Sequence, residues 1–197
     1  MLSGMSDPRK KQLHDYLVEA REAVIWKAAG LSEYDVRRPL TRTGTNLLGL
    51  VKHLSIVEAW YFGKTFGRPF DQHLPWWDDN QPEGADMWVT TSESRADILD
   101  TYHAAIAHAD ETIAALDLDA PGHVPWWSRP DVTLHGILVH VLAETARHAG
   151  HADIVREQID GRSGMRSTNV NLEPHDDQWW SEYRSQIESA AYAARSR

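Results

Sequence analysis

The chain has 197 residues, 42% hydrophobic and 25% charged, which fits one soluble globular domain able to bury its own core. Its formal net charge of −9, with no basic block beyond Arg37–Arg38 and a lone Arg42, excludes a nucleic-acid-binding surface, because phosphates require a concentrated basic patch. With no cysteine, disulfides, thiolate metal ligation and cysteine nucleophiles are all excluded, and any metal site must come from His, Asp and Glu. No apolar run of ~18 residues or signal-peptide core occurs, so the expectation is a cytoplasmic protein with no membrane partner.

In chain order, residues 1–6 are expected to fray. Asp7–Pro8 supplies a cap and a proline at the first helical position, and Leu13, Tyr16, Leu17, Ala20, Val24 and Ala28 form a helical stripe ending at Gly30. Leu31 to Thr45, with Pro39 and Gly44, reads as an ordered loop. A second helix is predicted from Thr45 or Asn46 to about Phe66, with Leu47, Leu50, Val51, Leu54, Val57 and Tyr61 apolar and His53 on the shoulder of their stripe. Gly67 to Thr90 has no period and reads as a long loop, whose His73 and Asp78–Asp79 are expected to be solvated. Thr91-Ser-Glu-Ser begins a third helix that continues through Ile98, Tyr102, Ile106, Ile113 and Leu116, with His103 and His108 exposed. A second loop, Asp119 to Val132, precedes the fourth helix, and a short final helix runs from Asp176 to about Ala194 with Trp179, Trp180, Tyr183 and Ile187 as its apolar face. No strand pattern emerges. The fold class is all-α: a four-helix bundle with long Trp/Pro-rich loops and a short C-terminal helix, read as one domain over 1–197 with a core at 8–161 and an extension at 162–197.

The fourth helix carries the chemistry. Thr133 is suited to an N-cap and Gly161 to a helix stop, and between them Leu134, Ile137, Val141, Val155 and Ile159 recur at steps of three and four. The same stepping through the middle gives Val141, Glu144, His148, His151 and Val155, so a carboxylate and two imidazoles fall on the stripe expected to face the core. Burying polar groups without partners costs on the order of 2–7 kcal/mol, and a divalent metal is the simplest partner. Glu144 and His148, four apart, project from one face. A third ligand must come from another helix; His53 is the best-placed candidate, with His140 an off-stripe alternative. Two imidazoles, a carboxylate and open positions describe a catalytic divalent site. There is no HExxH, and the Glu-x-x-His of di-iron bundles fails because Arg147 follows Glu144 by three. Nine tryptophans, four of them in the pairs Trp76–Trp77 and Trp126–Trp127, either anchor the loops or wall a pocket.

GTNLLGLVKHLSIVEAWYFG (44–63), AETARHAGHADIVREQIDG (143–161) and the loop GLSEYDVRRPL (30–40) resemble the DinB superfamily and, within it, its mini-circle subfamily. The resemblance spans roughly residues 8 to 161. It implies a four-helix bundle of unusual connection order, often a homodimer, holding a divalent metal (zinc, nickel, manganese or iron) through His53, Glu144 and His148. Where the family usually reads His-x-Gly-Gln, this chain has His148-Ala-Gly-His151, which makes His151 a further ligand, an outer partner or a catalytic proton carrier. Relatives of this fold include mycothiol-dependent isomerases and bacillithiol transferases. The activity implied is metal-assisted activation of a low-molecular-weight thiol such as mycothiol toward a small-molecule substrate, with His151 as candidate general base. A non-catalytic metal-binding interaction protein and a metal-dependent hydrolase remain the alternatives.

Overall fold

The computed structural model describes residues 7–170 and 172–195; the fraying expected of residues 1–6 lies outside the described residues. Helix α1 (Pro8–Lys27) starts where the cap predicts, the Asp7 carboxylate accepting the Arg9 N–H at 2.8 Å. The segment expected to be all loop contains a short helix, α2 (Glu33–Arg37). Ser32 starts it by accepting the Asp35 N–H at 3.0 Å, and burial of Val36 anchors it to the core. Helix α3 (Leu47–Tyr61) is capped by Asn46 and stops earlier than predicted. Gly63 leaves the helical backbone, at φ −97° and ψ −90°, in a conformation where a Cβ would meet the Ala59 carbonyl; beyond it only a 3-10 turn, Lys64–Phe66, continues.

Residues 67–90 hold two 3-10 turns, Pro75–Trp77 and Ala85–Met87. Helix α4 (Arg95–Ala115) begins after a Ser94 cap instead of at Thr91, because Glu93 turns back to accept the Thr90 N–H. The second loop contains a small antiparallel hairpin that the sequence reading lacked, β1 (Pro121–His123) against β2 (Asp131–Thr133). At three residues a strand, its alternation is too short to register as a period. Helix α5 (Leu134–Asp160) matches the prediction at both ends, with Thr133 capping Gly136 and Gly161 in the left-handed region at φ 75°. Helix α6 (Asp177–Ala194) follows its predicted Asp176 cap, yet its expected apolar face of Trp179, Tyr183 and Ile187 is exposed.

α1 packs along α5, and α3 lies between α4 and α5, giving the predominantly all-α bundle. The core unites Leu17 and Val24 of α1, Leu50 and Leu54 of α3, Ile98 and Ile113 of α4, and Ile137 and Val141 of α5. Within it a bidentate ion pair joins Arg21 to Glu58, with both N···O distances 2.7 Å, and Arg21 also reaches Asp110 at 2.8 Å. Cations satisfy the carbonyls left over at helix ends. Buried Lys10 donates to Leu116 O at the end of α4, and buried Arg156 donates to Lys27 O and Ala29 O at the end of α1. No described helix is long and apolar enough to cross a membrane.

Arg156 is held by Asp160, which accepts from Nε and Nη2 at 2.9 and 2.6 Å. Burial works against the Asp160 charge, but these hydrogen bonds prevail and hold its carboxyl below the ordinary range. Asp160→Asn is expected to cost about 1–2 kcal/mol at pH 7. Because the folded-state pKa is depressed, this contribution is present above the unfolded value of ~3.9 and is lost as pH falls through the folded one. Urea unfolding should therefore show the wild-type advantage closing on acidification; a gap that persists in acid would assign the loss to packing.

Candidate metal centre

Along α5 the buried line is Val141, Thr145, His148, Ala152 and Val155, and not the line through Glu144 and His151. At 100° per residue, Thr145 and Ala152 lie about 40° and 20° from Val141, whereas Glu144 and His151 lie about 60° and 80° to the other side. Glu144 is thus half-buried at the edge of the core. His151, expected on the buried stripe, is exposed. That edge is where α3 passes, and it brings His53 to the pair. His53 Nε2 lies 3.8 Å from Glu144 Oε1, and His148 Nε2 lies 3.1 Å from the same oxygen. The two rings meet edge-on with centroids 5.0 Å apart.

Two partners outside this trio set the rings. Asp86 Oδ2 meets His53 Nδ1 at 2.7 Å, and His151 Nδ1 stands 3.4 Å from His148 Nδ1. Asp86 reaches His53 because its loop is pinned across the start of α3. Asn46 Nδ2 donates to Met87 O and Lys52 Nζ to Trp88 O, both at 3.0 Å, and a Cβ on Gly49 would run into the Met87 carbonyl. The hydrogen bond from His53 holds the Asp86 carboxyl below its ordinary range. Burial and the neighbouring His53 ring push the His148 imidazole below its ordinary pKa, which keeps its lone pair free near neutral pH.

The donor set suits a divalent cation. Donors each about 2.0–2.2 Å from one ion lie no more than roughly 4.4 Å apart; both distances to Glu144 fall inside that limit, and all three donor atoms lie within 4.8 Å of one another. Each imidazole turns Nε2 toward the carboxylate and gives Nδ1 to an outer partner, the arrangement that fixes the tautomer of ligating histidines. Among the described residues, His53, Glu144 and His148 form the one group of this kind.

A cavity of about 240 Å³ opens beside Glu144 and His53, walled by Ile56, Val57, Trp60, Tyr61, Trp77, Trp126 and His140. One ring of each tryptophan pair therefore walls the pocket. The other anchors: Trp76 lies under the Lys52 ammonium at 4.9 Å, and Trp127 packs on Tyr61 and His140. His140, the alternative ligand, is instead a wall group wedged between Tyr61 and Trp127, with both centroid distances 4.7 Å. The solvated reading holds for His73 and Asp78, an exposed pair at 2.9 Å. It fails for His108, half-buried against Phe70 and bonded to Arg68 O at 2.8 Å. Asp86 and Trp60 escaped the sequence reading. Asp86 sits in an aperiodic loop 33 residues from His53, and no local signal ties the two.

If Asp86 sets His53, Asp86→Asn should weaken divalent-cation affinity by roughly 10–100-fold while leaving the helical circular dichroism unchanged. Equilibrium dialysis with Co²⁺ measures this, and wild-type affinity in the variant would remove Asp86 from the site.

A conserved protein from Enterococcus faecalis, known from its crystal structure, aligns with this chain at a TM-score of 0.56 and 16% identity, covering 77% of this chain and 97% of that one; at this identity the likeness shows the fold. No curated protein matches significantly. Residues 12–161, however, match the family model described as mycothiol-S-transferase. With that match spanning the bundle and all three clustered donors, the chain belongs to the mycothiol-S-transferase family, a DinB-like family.

Proposed function

We propose that this protein is a metal-dependent transferase that joins a low-molecular-weight thiol, mycothiol in the first instance, to a small apolar electrophile. The observation that carries this reading is the junction of a three-donor set with an aromatic-walled cavity at the shared residues His53 and Glu144. Three protein donors leave positions for an incoming ligand, as catalytic rather than structural divalent sites do. A divalent cation held there would lower the pKa of a bound thiol, so that thiolate forms near neutral pH.

The chain's own residues do the rest. His53, Glu144 and His148 would hold the cation, and Asp86 fixes the His53 ring. His151 acts through His148 Nδ1 and is a positioning residue. The cavity walls take the electrophile and exclude water that would compete with sulfur. A carbon–sulfur bond then forms as the bond from that carbon to the leaving group breaks. The leaving group departs with the electron pair, and the thiol proton passes to solvent. The absence of cysteine is consistent with a nucleophile supplied from outside the chain.

Elemental analysis of tag-free protein is expected to find stoichiometric divalent metal in the wild type and none in His148→Ala, with conjugation of mycothiol to an apolar electrophile falling to the uncatalysed rate. Wild-type protein that takes up no metal on reconstitution would leave a buried polar network and favour a binding protein. For His151, the family's own glutamine serves as a control: His151→Gln should keep metal affinity and His151→Ala should reduce it by about tenfold. Equal affinities in both variants would show that His151 does not position His148.

A further inference from the structure

The cavity beside the donor set shares a wall with a second one. Trp60 and Trp77 also line an open cavity of about 410 Å³, whose lining includes Lys64, Phe70, Gln72, His73 and Asp78. The two differ in chemistry. The first is walled mainly by aromatic and aliphatic groups around Glu144 and His53. The second adds three carboxylates (Asp71, Asp78 and Asp79), the Gln72 amide and the Lys64 ammonium, the last held 4.5 Å over the Trp60 ring.

We infer that the second cavity is the subsite for the polyhydroxylated, sugar-like end of the thiol, and that the first receives the electrophile. This rests on the thiol-transfer reading above. Hydroxyl groups moved into the apolar cavity would lose water without gaining partners, at a cost of about 1–3 kcal/mol each. In the second cavity they meet carboxylate and amide acceptors, while the C–H faces of a sugar ring lie against Trp60, Trp77 and Phe70. Three carboxylates against the Lys64 ammonium and the His73 imidazole, which is bonded to Asp78, disfavour a phosphorylated or otherwise anionic ligand and favour a neutral or amine-bearing polyol. Size agrees with the division. Small-molecule sites run from about 300 to 1,000 Å³, which admits a disaccharide-sized group to the second cavity and leaves the first to a compact electrophile. Because the cavities meet at Trp60 and Trp77, these rings separate the two substrates. A thiol anchored by its sugar must extend past them to bring sulfur to Glu144.

The test uses the sulfur-free, N-acetylated glucosaminyl-inositol portion of mycothiol, which has neither a thiol to engage a metal nor a free ammonium to be drawn to the carboxylates by charge alone. Saturation-transfer NMR and calorimetry on the protein as purified are expected to detect its binding. Affinity should fall about tenfold in Asp78→Asn and in Trp77→Ala and hold in Trp126→Ala. Asp78 is an exposed residue paired only to exposed His73, so Asp78→Asn leaves the core intact. In turnover, Asp78→Asn should raise the KM for mycothiol and not that for the electrophile, and Trp126→Ala should do the reverse. If mycothiol is turned over but neither Asp78→Asn nor Trp77→Ala affects its KM or the binding of its sugar, the subsite assignment is wrong and the transfer reading stands. If mycothiol is not turned over, the transfer reading fails. Sugar binding that survives Asp78→Asn but is lost in Trp126→Ala places the polyol in the first cavity and overturns the assignment.

Discussion

Helix α3 has almost no free face, and that constraint shapes the molecule. Of the side chains from Leu47 to Ala59, only His53 is not fully buried, because α4, α5 and the 85–88 loop cover the rest. A helix apolar on all sides must be enclosed. Enclosing this one leaves a single gap, where the His53 ring emerges between α5 and the loop. The centre is therefore a by-product of how α3 is wrapped: α5 brings Glu144 and His148 to one side of the ring and the pinned loop brings Asp86 to the other.

Wrapping an apolar helix so tightly also buries polar groups, and the bundle answers the charged ones with specific partners. Glu58 on α3 is fully buried, and burial pushes its carboxyl up, against the pull of the Arg21 guanidinium. Lys10 and Arg156 occupy the ends of α4 and α1, where carbonyls would otherwise lack donors. Removing one partner of such a pair is far more damaging than never having built it, because a lone charge stays behind in low dielectric. These contacts fix the register of α1 against α4 and α5, and hence how far α5 slides past α3. A slide of one helical turn, ~5.4 Å, would carry Glu144 away from His53 altogether.

The tryptophans divide in the same way. Trp76 and Trp127 are held by Lys52 and by Tyr61 with His140, which leaves their neighbours Trp77 and Trp126 facing the cavities. Trp60 meets Trp126 edge-on at 4.5 Å, so the wall of the first cavity is itself a packed aromatic cluster. Loops held by such contacts are stiff enough to shape a pocket although they lack regular structure.

The sequence by itself determined the long helices and the pairing of two candidate donors on one of them. Asp7–Pro8, Asn46, Thr133–Gly161 and Asp176 mark helix ends through hydrogen bonds made within a few residues, and the four-residue step from Glu144 to His148 is a property of one helix. Such terms are local, so they survive being read along a line. The DinB-like resemblance extended that reading to His53. Only the tertiary structure decided that Asp86 stands behind His53, that His151 faces solvent, and that one tryptophan of each pair lines a cavity. Each of these depends on the angle at which one element crosses another. That angle is set by packing summed over the whole bundle, and no short stretch of sequence encodes it.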